Sequence, residues 1–287
     1  MAIVGRVIEV WRYPVKSMGG ESLPRAGVGS MGIAGDRGWA LRDETAGEIR
    51  GGKKMPVLMQ CAARYDAEPT GGAIPPVTMT LPDGSTLRSG DADASERLSA
   101  LTGRRLTLWP RQPAERAEHY RRGLPDDPDF ETELRQIFGR LPDEPLPDLS
   151  VIPQELFEYT SPLGTYFDLA PMHLLTTASL ATLAEKTPGA RFDRRRFRPN
   201  LLIEPVGGAS GLVEFDWCGR TLRVGGASFA ITIPAMRCSM TTQAVSDLPK
   251  DPSVLRTIVR DANQNLGVYA TVVRAGEVAV GDSVEME

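Results

Sequence analysis

Along the first half of the chain, apolar and polar positions alternate in short runs closed by turn residues. From Val7 to Val15 apolar residues alternate around charged ones, which predicts a strand closed by Gly19-Gly20. Trp39 to Asp43, with a return after Thr45-Ala46-Gly47, predicts a hairpin, and Val77 to Leu87 predicts another turning at Asp83-Gly84. A helix is expected from Asp93 to Leu101, stopped by Gly103, before strand character returns at Leu106 to Trp109. Several short strands with close turns mean a barrel or a sandwich.

The second half carries a helical period from His173 to Lys186, with Leu174, Leu175, Ala178, Leu180 and Leu183 forming an apolar face. Thr176, Thr177 and Ser179 at its front either cap it or direct donors toward an anion. Strands are expected at residues 201–206, 212–217, 221–224 and 229–233, followed by a helix over Pro252 to Asp261 and alternating strands from Gly267 onward. Between the halves, residues 110–171 hold ten of the 23 prolines and many acids, apart from a helix at 129–141. Such a segment is a disordered or surface excursion, or a lid over an active site. The fold class expected is β-rich α+β, with a barrel-like region over 1–110, a Pro-rich acidic excursion over 111–165 and a second domain over 166–287.

Composition narrows the function. With 287 residues, 41% of them apolar and 24% charged, the chain can bury a substantial core. Its formal net charge of −4 argues against a nucleic-acid binder, which would need a broad basic face, so any anion site must be local. No run of about 18 apolar residues and no leader-like start is present, so neither a membrane span nor secretion is expected, and a cytoplasmic protein is. Cys61, Cys218 and Cys238 form no C-x-x-C pair, which excludes a recognisable zinc knuckle or four-cysteine iron–sulfur cluster and argues against a disulfide scaffold. His119 and His173 share no ligand spacing, and His173 is read as a structural residue at the front of its helix.

Two motifs carry candidate chemistry. Arg191, Arg194, Arg195, Arg196 and Arg198 crowd into one stretch of a chain with only five lysines. Planar guanidinium forks suit phosphate or carboxylate, although a charge run is also what a solvated loop looks like. The run ends in Arg198-Pro199-Asn200 at the entrance to an apolar strand, where side chains are held stiffly; not all five cations can be buried there without as many acids. Further on, Arg237-Cys238 follows an apolar strand, and an adjacent cation favours thiolate, although isolated cysteines are more often small buried hydrophobes.

Tyr13-Pro14-Val15-Lys16-Ser17, Gly35-Asp36-Arg37, Arg198-Pro199-Asn200 and Arg237-Cys238, in this order and at these separations, resemble the MOSC family, named after the C-terminal domain of molybdenum-cofactor sulfurase, in the form with the MOSC N-terminal β-barrel region. The resemblance runs from about residue 3 to the C-terminus and is poorest over 110–171. It is similar to amidoxime-reducing molybdenum enzymes and so implies a molybdenum cofactor (Mo-molybdopterin) and reduction of N-hydroxylated or N-oxide small-molecule substrates. By resemblance Cys238 ligates molybdenum, Lys16, Ser17, Arg37, Arg198, Asn200 and Arg237 hold the pterin and its phosphate, and Ser179 is a further match on the helix. Lacking its own cluster, the chain would take electrons from an external donor, a reductase or a ferredoxin-like protein. Met236, two residues before the cysteine, stands where active relatives carry a small polar residue, which leaves the substrate open. The alternative is a sulfur-carrier or cofactor-delivery module with a persulfide on Cys238, served by a partner because no pyridoxal-phosphate domain is recognisable. A third possibility is an anion-binding interaction domain without chemistry.

Overall fold

A computed structural model describes residues 1–70 and 72–287. Seven strands close a barrel. In chain order they are β1 (Ala2–Arg12), β2 (Met172–Thr176), β3 (Leu201–Pro205), β4 (Thr221–Val224), β5 (Ala227–Met236), β6 (Asn265–Arg274) and β7 (Ser283–Met286). Around the barrel the order is β3, β2, β6, β5, β4, β7, β1, and β1 pairs back onto β3 with Val7 opposite Ile203 and Val10 opposite Leu201. The closing strand is therefore the first of the chain, although the other six lie beyond residue 170. Its inward residues Val7 and Val10 join Leu174, Ile203, Leu222, Phe229, Val268 and Val284 in one fully buried core. Each such side chain contributes on the order of 1.5–3 kcal/mol by leaving water.

β2 and β3 are parallel and need a crossover, supplied by the helix Thr177–Lys186. Thr176 caps that helix by accepting from Ser179 N, and its inner face packs with the helix Pro252–Asp261 over Leu175, Leu202, Phe192 and Phe197. The expected helix from His173 is corrected at its front, because Met172–Thr176 is a strand. A strand covered on both faces is apolar at every position, and such a run satisfies a helical period equally well. The expected strand at 212–217 is likewise a 3-10 helix, Val213–Trp217.

The remaining N-terminal residues build a second core. Trp39–Asp43 lies between Glu48–Arg50 and Leu106–Pro110 in one three-stranded sheet, and Val77–Thr80 lies between Ala62–Tyr65 and Thr86–Arg88 in another. The helix Ala94–Thr102, ended by left-handed Gly103, closes this core over Leu58, Val77, Met79, Leu87 and Leu98. The expected β-rich α+β class is what the chain adopts. Residues 110–171 pack against this body: Tyr120 and Tyr166 are fully buried with Ala40 and Ile49, and the helix Phe130–Phe138 runs from its Asp129 cap to left-handed Gly139. No helix among the described residues is long and apolar enough to cross a membrane.

Candidate active site

The end of β1 leads into Tyr13, around which the two halves of the chain meet. Its hydroxyl donates to Pro199 O at 3.0 Å, its amide donates to Asp36 Oδ1 at 2.8 Å, and the guanidinium carbons of Arg37 and Arg198 lie 4.8 and 4.3 Å from its ring centroid. Cation–π contacts of this kind hold a guanidinium without consuming its hydrogen-bond donors. Arg37 donates to Asp36, and Arg198 to Met18 O; their other donors meet no protein acceptor among the described residues. Burial and the neighbouring Arg37 pull the Arg198 pKa down to about 10, which leaves it charged at neutral pH.

Backbone geometry marks the same place. Among the described residues only six other than glycine have positive φ, and three of them are Ser17 (72°), Arg37 (48°) and Arg198 (57°). A side chain in that region costs about 1–3 kcal/mol, so it persists where the surroundings impose it, and such positions cluster at functional sites. Ser17 is fixed by Gly52, whose amide donates to its hydroxyl at 2.8 Å; Gly51 passes so close that a Cβ there would sit 2.5 Å from Ser17 Oγ. Lys16 donates to Asp168 Oδ1 at 2.9 Å and to Tyr166 O at 2.8 Å, so the excursion reaches the site directly. Crowding by the cleft walls opposes ionisation of Asp168, but Lys16, Lys53 and Arg37 outweigh it and hold the carboxyl well below the usual carboxylate range. Its side chain is 54% exposed, so cleft water screens part of this.

Cys238 follows β5 and opens the short 3-10 turn Ser239–Thr242, half-buried against Met59, Met240, Val245 and Leu248. The excursion also reaches this loop: Ser239 Oγ donates to Ile137 O at 2.9 Å, and Arg140 donates to Arg237 O at 3.1 Å. Arg237 donates to Phe197 O at 3.0 Å, while its buried Nε has no partner. Lys53 and Tyr269 both lie within electrostatic reach of Asp168 and of the Cys238 loop. The other two cysteines pack against the two cores. Burial, with a smaller push from Asp83, raises the Cys61 thiol to about 11, and burial with Glu214 raises that of Cys218.

Lys16, Ser17, Arg37 and Arg198 thus line one cleft around Tyr13, and Gly52 and Phe197 connect it to the loop that carries Arg237 and Cys238. Asn200 lies at the floor of the cleft and is fully engaged, accepting from His173 N at 3.1 Å and donating to Asp36 Oδ2 at 2.9 Å; it fixes the acid that holds Arg37 rather than offering a free donor. Ser179 is not brought there. Fully buried, it donates to Glu214 Oε2 at 2.5 Å beside Thr176, so the hydroxyls at the helix front cap it and hold a buried acid. Not all five arginines of the run are buried: Arg191 is exposed, Arg194 and Arg195 are partly exposed and paired with acids, and Arg196, 1% exposed, is satisfied by carbonyls instead, donating to Gln243 O and Pro249 O at 2.8 and 2.7 Å. Lys53, Asp168 and Tyr269 were absent from the sequence expectation. Only Lys53 had a visible signal, the dipeptide Gly51-Gly52 before adjacent lysines in a lysine-poor chain.

Two family models match: "MOSC domain" over residues 165–285 and "MOSC N-terminal beta barrel domain" over residues 4–106. The chain belongs to the MOSC family. Among solved structures it is similar to the YUAD protein from Bacillus subtilis, at 12% identity and a TM-score of 0.45, covering 99% of this chain and 96% of that one. YiiM from Geobacillus stearothermophilus (19% identity, TM-score 0.33) and YiiM from Escherichia coli (14%, 0.32) each align with 41% of this chain, which spans 54% of theirs. The family assignment rests on the two models, not on these likenesses. No curated protein sequence matches the chain at a significant level. Membership places the chain in a family associated with the molybdenum cofactor.

Proposed function

We propose that this chain binds the molybdenum cofactor and acts as an oxidoreductase on N-hydroxylated or N-oxide substrates, taking electrons from an external donor. One observation carries the reading: Ser17, Arg37 and Arg198, all in left-handed backbone, gather beside Tyr13 with most donors of the two arginines unengaged, and Gly52, bonded to Ser17, abuts Met240 in the turn that Cys238 opens. The donor set fits the group. A pterin phosphate requires several fixed cationic donors, answered by Arg37 and Arg198 with Lys16 and Ser17 beside them. Arg237 adds a buried nitrogen without a partner. Molybdenum favours a soft ligand, for which Cys238 is the candidate. No group of three or more His, Cys, Asp or Glu side chains converges among the described residues, so a metal at Cys238 would have to bring most of its ligands, as a dithiolene-bound metal does.

Once bound, the metal would supply the two-electron redox chemistry; the residues described would orient the cofactor and wall off one side of the reacting centre. Molybdenum and pterin content of protein purified from a cofactor-competent host tests this reading. Stoichiometric amounts of both are expected, with molybdenum-dependent turnover lost in Cys238→Ala and kept in Cys61→Ala and Cys218→Ala. Protein free of pterin would overturn it, and cyanide-releasable sulfur on Cys238 in metal-free protein would favour the sulfur carrier instead.

A further inference from the structure

We infer that Lys53 is an anion receptor beside Cys238, and that the substrate of this chain carries a carboxylate or a similarly compact oxyanion. The inference deepens the function proposed above and rests on it for the word substrate; the anion pocket itself is argued from this chain's own residues.

Gly51 to Lys54 form a turn closed by Gly51 O, which accepts from Lys54 N at 3.0 Å and Met55 N at 2.9 Å. It is wedged between the two parts of the site. On one side Gly52 N is bonded to Ser17; on the other, a Cβ on Gly52 would stand 2.9 Å from Met240 Cε, in the turn that Cys238 opens. Lys53 is thereby anchored next to the cysteine loop. The cations flanking it in sequence are neutralised: Arg50 donates to Glu48 at 2.8 Å and to Asp126 at 2.7 Å, and Lys54 lies 3.0 Å from Asp126 and 2.6 Å from Glu133. Lys53 is half-buried and has no hydrogen-bond or ion-pair partner among the described residues.

Its surroundings favour the charged form. Asp168 is the acid nearest in effect, and it already accepts from Lys16; Arg122, reaching in from the excursion, adds a further cation. Burial alone would lower the Lys53 pKa, but the acidity around it, led by Asp168, outweighs burial, so the group stays an ammonium. An ammonium whose donors meet no protein acceptor has all of them to offer, and a ligand oxyanion would take them in charge-assisted hydrogen bonds. An ammonium is a compact point charge without the fixed fork of a guanidinium, so it selects for charge more than for one geometry.

The test compares binding of benzoate and of its neutral isostere benzamide by calorimetry, on the full-length protein as purified, with molybdenum content measured in every sample. Wild type should bind benzoate at least about tenfold more tightly, since a charge-assisted contact is worth about that factor or more. Lys53→Gln should remove the preference and keep its pterin, whereas Lys53→Arg and the remote exposed Lys250→Gln should retain the preference. Equal binding of the two ligands by wild type, or an undiminished preference in Lys53→Gln, would overturn the inference. Loss of pterin from Lys53→Gln would also overturn it, by assigning the lysine to the cofactor. If no preparation contains molybdenum yet the Lys53-dependent preference stands, the cofactor reading fails and the anion pocket survives; if molybdenum is present without the preference, the reverse holds.

Discussion

The cleft around Tyr13 and the front of the helix Thr177–Lys186 present much the same sequence chemistry for an anion, yet the fold uses them in opposite ways. At the helix front Ser179 N is bonded to Thr176 Oγ1, and both hydroxyls donate to Glu214 Oε2, so the donors are consumed by one buried acid. In the cleft Arg37 and Arg198 are held by a tyrosine ring and by single acceptors, which fixes their position and leaves donors free. A donor already bonded inside the protein has nothing left to offer a ligand, whatever its charge. The arginine run shows this within a few residues: Arg194 pairs with Glu9, Arg195 with Asp193 and Asp247, and Arg196 with backbone carbonyls, while Arg198 alone turns to the cleft.

The comparison is broken most directly at Arg198. Arg198→Ala should lower cofactor affinity about ten- to a hundredfold, the equivalent of about 1.5–3 kcal/mol for a charge-assisted contact, and Arg198→Lys should not restore it. Pterin retained after gel filtration is the readout; unchanged retention in Arg198→Ala would remove Arg198 from the cofactor site.

At the helix front the expected effect is on stability instead. Ser179→Ala removes a donor to a buried acid and should cost about 1–3 kcal/mol in urea unfolding while pterin content stays at wild type. Loss of pterin with unchanged stability would show that the helix front belongs to the site after all.

The pH dependence sharpens the same contrast, because buried groups titrate against the fold. Burial, reinforced by Arg237, holds the His173 pKa well below 6.5, and burial with Arg42 holds that of His119 at about 4. Unfolded imidazoles take up protons as pH drops through about 6.5 while the folded ones do not, so stability should fall from there toward pH 4. Glu214 acts the other way: burial raises its pKa above 4.5, so its contribution is present below that value and lost as pH rises through the folded pKa. Urea midpoints from pH 7 to pH 5 should therefore decline less steeply in His173→Gln than in wild type; identical slopes would contradict a neutral buried His173.

The smallest effect is expected at the surface members of the arginine run. Arg195→Ala breaks partly exposed pairs with Asp193 and Asp247 and should change stability by no more than about 1 kcal/mol and pterin retention not at all. A loss matching that of Arg198→Ala would mean a diffuse basic patch.

The sequence by itself determined the elements whose signals are local. Asp251 and Pro252 start a helix at the expected residue because a cap needs only the next few amides, and Gly103 stops another because it adopts left-handed backbone without strain. It also determined which residue types were on offer at Lys16, Arg37, Arg198 and Cys238, since motif spacing survives any local misreading. Met172–Thr176 escaped because an apolar run covered on both faces has no distinguishing period. Tertiary structure alone decided that the first strand closes a barrel whose other six strands all lie beyond residue 170, and that Ser179 faces Glu214 rather than the cleft. It alone set Asp168 and Lys53 opposite residues more than a hundred positions away. The physical reason is the same throughout: a residue type states how many donors and charges it brings, but which of them remain free is a property of its neighbours, and those neighbours are supplied by chain segments that no local pattern links.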